Sequence, residues 1–236
     1  MLNKDVISAT VPTLNLNDTV AQALQLMSEF HVEHLAVVAD DKLAGLIYED
    51  DLLNANDDNV TIAQLQPVFS KLAVHAETHF IEAVQLVNEY GLTVIPVIEA
   101  EHDFIGVILQ SDLFKQLAKQ TGANEPGAII VLELEKRGYS FSEISKLVET
   151  NDAHITQLNS YYDNTSETFF VTLKINKFEI SDIVATFQRY EYTVKYYFGE
   201  ELYENELRTN YDHLMNYLNL LRGSSKFYFG ETEALK

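Results

Sequence analysis

Gly45-Leu46-Ile47-Tyr48-Glu49-Asp50-Asp51-Leu52 returns 61 positions later as Gly106-Val107-Ile108-Leu109-Gln110-Ser111-Asp112-Leu113. Working outward, residues 14–38 match residues 74–98 without a gap at a shift of 60. Ala23-Leu24-Gln25-Leu26 sits over Ala83-Val84-Gln85-Leu86, and Leu35-Ala36-Val37-Val38 over Ile95-Pro96-Val97-Ile98. The step from 60 to 61 places one inserted residue in the turn between the two matched stretches. Self-similarity at a fixed period is the mark of a duplicated supersecondary unit.

Periodicity changes in the same order in each copy. Val20, Ala23, Leu24 and Met27 follow helical spacing after the capping candidates Asp18 and Thr19, as do Phe80, Ala83, Val84 and Val87 after Thr78. Two short apolar runs, Leu35 to Ala39 and Leu43 to Tyr48, flank the polar turn Asp40-Asp41-Lys42 and read as paired strands. A second short helix is expected with Asp51 or Asp112 near its start. Each unit is too small to bury a two-sided apolar strand alone, so the copies are expected to pack on each other.

The repeat length, the two strand texts and the Gly-(five residues)-Asp endings make residues 5–118 resemble a tandem CBS-domain pair, or Bateman module. That resemblance implies dimeric discs that bind adenosine-containing ligands in clefts between repeats and regulate an attached domain. In the family pattern a Ser or Thr three residues after the strand glycine contacts phosphate, and an Asp three further on holds the ribose hydroxyls. Asp51 and Asp112 match the ribose position, while Tyr48 and Leu109 depart from the phosphate position. An ionised Asp is acceptor-only and suits two vicinal hydroxyls, yet Asp at a helix start is also an ordinary N-cap. Both roles stay open. Leu109 makes the second cleft the weaker candidate, and Tyr48 leaves the first ambiguous, since its hydroxyl can donate to phosphate. With Ser111, His34 and Pro96, these residues form the candidate ligand-binding set.

Charge narrows the ligand. Residues 1–120 hold five lysines, no arginine and 18 acids, a balance of −13. A triphosphate there would need help from helix termini, metal or the other domain, so AMP, adenosine or a cationic adenosyl compound such as S-adenosylmethionine ranks above ATP. The whole chain of 236 residues carries a formal charge of −20, a field that repels nucleic acid and anionic membrane. With 47% hydrophobic residues, it is long enough for two domains. No cysteine is present, which rules out disulfides and thiolate metal sites and fits a reducing compartment. No run of eighteen apolar residues and no signal-like start are seen, and a cytoplasmic location is expected.

After Lys119 the turn formers Gln120-Thr121-Gly122-Ala123-Asn124-Glu125-Pro126-Gly127 read as a linker. Repeats over 5–60 and 61–120, a linker over 121–127 and a second domain over 128–200 are the expected divisions. Beyond the linker the pattern runs strand 128–135, helix 142–149, strand 153–162, strand 168–175, helix 180–190, strand 192–198, the βαββαβ order of a ferredoxin-like unit. The glycine-bearing turn Arg137-Gly138-Tyr139-Ser140 resembles that of an ACT domain, although the Pro usual before the Gly is missing. The resemblance implies edge-to-edge pairing and a small-ligand site near Gly138 and Tyr139. Gly138 serving only as permissive turn backbone is the favoured alternative. The fold class is thus α+β: a CBS pair, an ACT-like domain and a C-terminal amphipathic helix. That layout is similar to the bacterial acetoin utilisation regulatory proteins, which implies control of a metabolic enzyme. Leu207, Tyr211, Leu214, Leu218 and Leu221 share one helical face over 201–222, expected to dock on its own core, and a tail follows over 223–236.

No phosphate-binding glycine loop, nucleophile elbow or HExxH motif occurs. His31 with His34 and His75 with His79 lack a third ligand, so packing or surface roles outrank zinc. The expected function is a non-catalytic, homodimeric sensor of an adenosyl ligand without cofactor or metal. An interaction scaffold that has lost nucleotide binding is the alternative, and an enzyme hidden in the second half a weaker third.

Overall fold

A computed structural model describes residues 1–199 except 9, 56 and 136–138, together with 214 and 215. The chain divides into two compact units, Met1–Gln120 and Thr121–Lys236.

In the first unit two three-stranded sheets share one plan. The first joins β1 (Leu14–Asn15), β2 (His34–Ala39) and β3 (Lys42–Tyr48), with α1 (Val20–Phe30) between β1 and β2 and α2 (Glu49–Leu53) after β3. The second joins β4 (Val74–His75), β5 (Val94–Ile98) and β6 (Phe104–Leu109), with α3 (Ile81–Tyr90) and α4 (Gln110–Gln120) in the same places. In each, the first pairing is parallel and the second antiparallel. Thr19 caps α1 through a reciprocal pair with Gln22. Thr78 does not cap α3: the helix starts after Phe80 without a side-chain cap, and Thr78 instead bonds the His75 carbonyl and Glu82.

The inserted residue falls where the sequence put it. Asp40 and Asp41, both left-handed, close the first hairpin in two residues, whereas residues 99–103 close the second. Val37 therefore pairs with Gly45, and Val97 with Gly106.

Each repeat is completed by a segment from outside its own hairpin. Ser8 bridges Val107, and Ser70 bridges Leu46. Glycine is needed beneath both crossings, since a Cβ on Gly45 would lie 2.7 Å from Phe69 Cβ, and one on Gly106 2.6 Å from Ile7 Cγ2. The two copies also share cores: Val94, Ile98 and Val107 pack with first-repeat residues, and Leu46 with second-repeat residues. Burying both faces of β2 and β5 in this way explains their continuous apolar text.

The second unit is a four-stranded antiparallel sheet in the order β10-β7-β9-β8, built from β7 (Ala128–Leu134), β8 (Ile155–Asp163), β9 (Thr168–Ile175) and β10 (Thr193–Phe198). Helices α5 (Phe141–Glu149) and α6 (Ser181–Arg189) make the βαββαβ crossovers. Ile130, Leu132, Val171 and Leu173 alternate onto one face and pack with Ile144, Val148, Ile183 and Phe187 from the helices. Gly138, the expected helix over 201–222 and the tail over 223–236 lie outside the described residues, save Leu214 and Met215, which are helical.

Candidate functional site

His34 opens β2 and Tyr48 ends β3, and the hairpin register sets them directly opposite each other. Their rings meet edge to face at 4.5 Å. His34 is buried, and its Nδ1 accepts the Thr93 backbone N–H at 3.2 Å and lies 2.9 Å from Thr93 Oγ1. Because a backbone N–H only donates, Nδ1 must be unprotonated, which leaves the proton on Nε2. Burial holds the His34 pKa below the ordinary histidine value against the opposing pull of Glu33. Thr93 Oγ1 also accepts the Glu33 N–H at 3.0 Å, so the two repeats are tied where Glu33 and Thr93, 60 residues apart, stand at equivalent positions.

Around this pair lies an open cleft of about 210 Å³ lined by Glu33, His34, Tyr48, Glu49 and Asp50. Three carboxylates line the cleft with Tyr48, which the resemblance set at a phosphate position. The volume falls below the roughly 300 to 1,000 Å³ common for whole small-molecule pockets and has room for one end of a ligand.

Asp51 and Asp112 are not N-caps. Each is the third residue of its helix, α2 or α4. The first helical N–H is taken by a carbonyl instead: Glu49 donates to Glu33 O and Gln110 to Thr93 O, at 2.9 and 3.0 Å. The two aspartates then differ. Asp112 accepts from Ser8 Oγ and, at 2.8 Å, from Lys115 Nζ, and these bonds, Lys115 first, hold its carboxyl below the usual range. Ser8 Oγ in turn accepts the Leu109 N–H at 3.1 Å. The Asp51 side chain has no hydrogen-bond or ion-pair partner among the described residues, and the residue is half-buried.

Of the remaining candidates, Ser111 is exposed at the second position of α4. Pro96 is buried within β5, the middle strand of its sheet. The structure thus brings His34 and Tyr48 together, leaves Asp51 outside the lining of their cleft, and joins neither Ser111 nor Pro96 to them. Ser8 and Thr93 were missed by the sequence reading. Thr93 carried a signal, its equivalence to Glu33 at the 60-residue shift, whereas Ser8 lies ahead of the matched stretch.

In the second unit Tyr139 stacks on Phe169 with centroids 4.4 Å apart and lines a cleft of about 410 Å³ with Glu133, Glu135, Glu143, Tyr190 and Tyr192. Tyr192 donates to Glu143 at 2.8 Å, and burial with that bond pushes its pKa up to about 12. No group of three or more metal-ligating side chains occurs among the described residues. None of their helices is long and apolar enough to cross a membrane.

The CBS-domain family model matches residues 4–58 and 66–119. The first half of the chain is a tandem pair of CBS domains. Among curated proteins, the L-aspartate semialdehyde sulfurtransferase of Methanosarcina acetivorans is 28% identical over 121 residues, 50% of this chain and 24% of that protein. The chain therefore spans about a quarter of that relative's length. A CBS domain pair/ACT domain protein of Thermotoga maritima overlays at TM-score 0.46 and 21% identity, covering 50% of this chain and 98% of that one. CBSX2, solved in complex with AMP, overlays at TM-score 0.43 and 21% identity, covering 50% of this chain and 96% of its own.

Proposed function

We propose that this protein is a non-catalytic regulator whose CBS pair senses an adenosine-containing ligand and passes its occupancy to the ferredoxin-like domain, read as ACT-like, or to a partner enzyme. A homodimer is the working assembly of this reading. The observation that supports it is the difference between two equivalent aspartates: Asp112 is already bonded by Ser8 and Lys115, whereas the Asp51 carboxylate has no partner among the described residues. Ligand binding is accordingly assigned to the first repeat, with Asp51 on the ribose hydroxyls. Glu33, Glu49 and Asp50 around Tyr48 oppose a phosphate there, which favours adenosine or a cationic adenosyl compound over AMP, and AMP over ATP. Any switching requires that the ligand bind two arrangements of the protein with different affinity.

Calorimetric titration with adenosine, S-adenosylmethionine, AMP, ADP and ATP tests this. Saturable binding that is abolished by Asp51→Asn and kept by Asp112→Asn is expected. Silence across the whole panel would instead favour the scaffold reading, in which Tyr48 and Leu109 mark a CBS pair that no longer takes a nucleotide.

A further inference from the structure

The cleft beside Tyr48 presents two kinds of group that find no match within the described residues. The first is a pair of donors. Nδ1 of His34 accepts the Thr93 N–H, which leaves Nε2 as the protonated nitrogen. Nothing described accepts that proton. His34 is only 4% exposed, yet the one fully enclosed side-chain polar atom without a partner among the described residues is Oδ1 of Asn3. Nε2 therefore keeps an opening to solvent, and the cleft that His34 lines supplies it. The Tyr48 hydroxyl, on the ring that meets His34 edge to face, likewise has no partner among the described residues. A buried donor held in place from the far side of its ring is costly to leave unmatched.

The second kind is negative. The side chains of Glu33, Glu49 and Asp50 line the same cleft, and none has a hydrogen-bond or ion-pair partner among the described residues. None of the five lysines of the CBS pair lines it either. A purely cationic group would satisfy the carboxylates and leave both donors idle, whereas an anionic one would meet the donors against three negative charges. A group that carries both signs answers both. Resting on the adenosyl-sensing role proposed for the first repeat, we propose that its ligand ends in a zwitterionic α-amino-acid group seated in this cleft. The ammonium lies among Glu33, Glu49 and Asp50, and the carboxylate accepts from His34 Nε2–H and the Tyr48 hydroxyl. Burial keeps His34 neutral, so the Thr93 bond and the Nε2 donor persist together. S-adenosylmethionine and its thioether S-adenosylhomocysteine carry this end, while adenosine and 5′-methylthioadenosine lack it.

Calorimetric titration of the full chain with S-adenosylhomocysteine and 5′-methylthioadenosine isolates the group, because both are thioethers and only the first bears the amino acid. S-adenosylhomocysteine is expected to bind at least about tenfold more tightly. His34→Asn retains an acceptor for the Thr93 N–H and removes the donor to the cleft, and Tyr48→Phe removes the hydroxyl alone. Each is expected to weaken S-adenosylhomocysteine about tenfold while 5′-methylthioadenosine binds as before. Should His34→Asn melt early, Tyr48→Phe carries the test. Equal affinity for the two compounds, or variants that weaken both alike, would overturn this assignment and leave the sensing role standing. If neither compound binds the unaltered chain, the sensing role and this assignment fall together.

Discussion

The hydroxyl of Ser8 donates to the carboxylate of Asp112 across 104 residues of chain, and the same oxygen accepts the Leu109 N–H that leads into α4. The N-terminal segment is thus fastened to the second CBS repeat by a charge-assisted bond. Ser8→Ala is expected to lower the unfolding free energy by about 1 to 2 kcal/mol. In a double-mutant cycle with Asp112→Asn, chemical denaturation is expected to show coupling, and additive losses would mean the two groups do not act together.

His34 makes stability depend on pH. Its folded pKa lies below the ordinary value of 6.5, so between these two values the unfolded chain holds a proton that the folded chain does not. The stabilisation is complete above about pH 6.5 and declines as pH falls through that window, by at most about 1.4 kcal/mol per pH unit. Denaturant melts from pH 7.5 to 5 are expected to show this decline, and His34→Gln a shallower one. Parallel profiles for the two proteins would remove His34 as the cause.

Gly45 and Gly106 are equivalent in the repeat but not in what crosses them. A Cβ at Gly45 would meet the Cβ of Phe69 and the backbone oxygen of Ser70, at 2.7 and 2.9 Å, whereas at Gly106 it would meet the side-chain methyl of Ile7. The Ile7 side chain can shift as a whole, whereas the Ser70 carbonyl is held in the bridge to Leu46. Gly45→Ala is therefore expected to cost more than Gly106→Ala, with the former losing about 2 to 3 kcal/mol. Equal losses in thermal melts would show that backbone geometry, not contact, sets both.

Tyr192 and Glu143 connect the approach to β10 with α5 through a 2.8 Å bond. Tyr192→Phe is expected to cost about 1 kcal/mol at neutral pH. With the phenol pKa pushed up to about 12, the folded chain keeps a proton that an unfolded tyrosine gives up near 10. Stability therefore falls as pH rises from about 10 to 12, and Tyr192→Phe should show less of that fall. If the alkaline melts of the two proteins superimpose, the bond is not formed in solution.

Much of the architecture was readable from period and punctuation. Thr168–Ile175 falls where alternation placed a strand, and α5 begins one residue before its expected start. The inserted residue between Val37↔Gly45 and Val97↔Gly106 was visible as a change of shift. Local rules suffice for such features, because hydrogen bonding within a helix or hairpin involves neighbours in sequence. They misled at Thr78, and they left Asp51 and Asp112 open between cap and ligand group until the first helical N–H of each helix was found bonded to a carbonyl. Cap preference is a local bias that tertiary contacts override.

The sequence by itself determined the duplication, the order of elements, the negative charge and the Gly-to-Asp spacing of both repeats, since each is a property of residues near one another in the chain or of their sum. Only the tertiary structure decided that Ser8 engages Asp112 while no described residue pairs with the Asp51 side chain, and that Thr93 fixes the His34 tautomer. Those outcomes depend on which distant segments meet. A contact such as that of Ser8 with Asp112, across 104 residues, leaves no periodic trace in a single sequence.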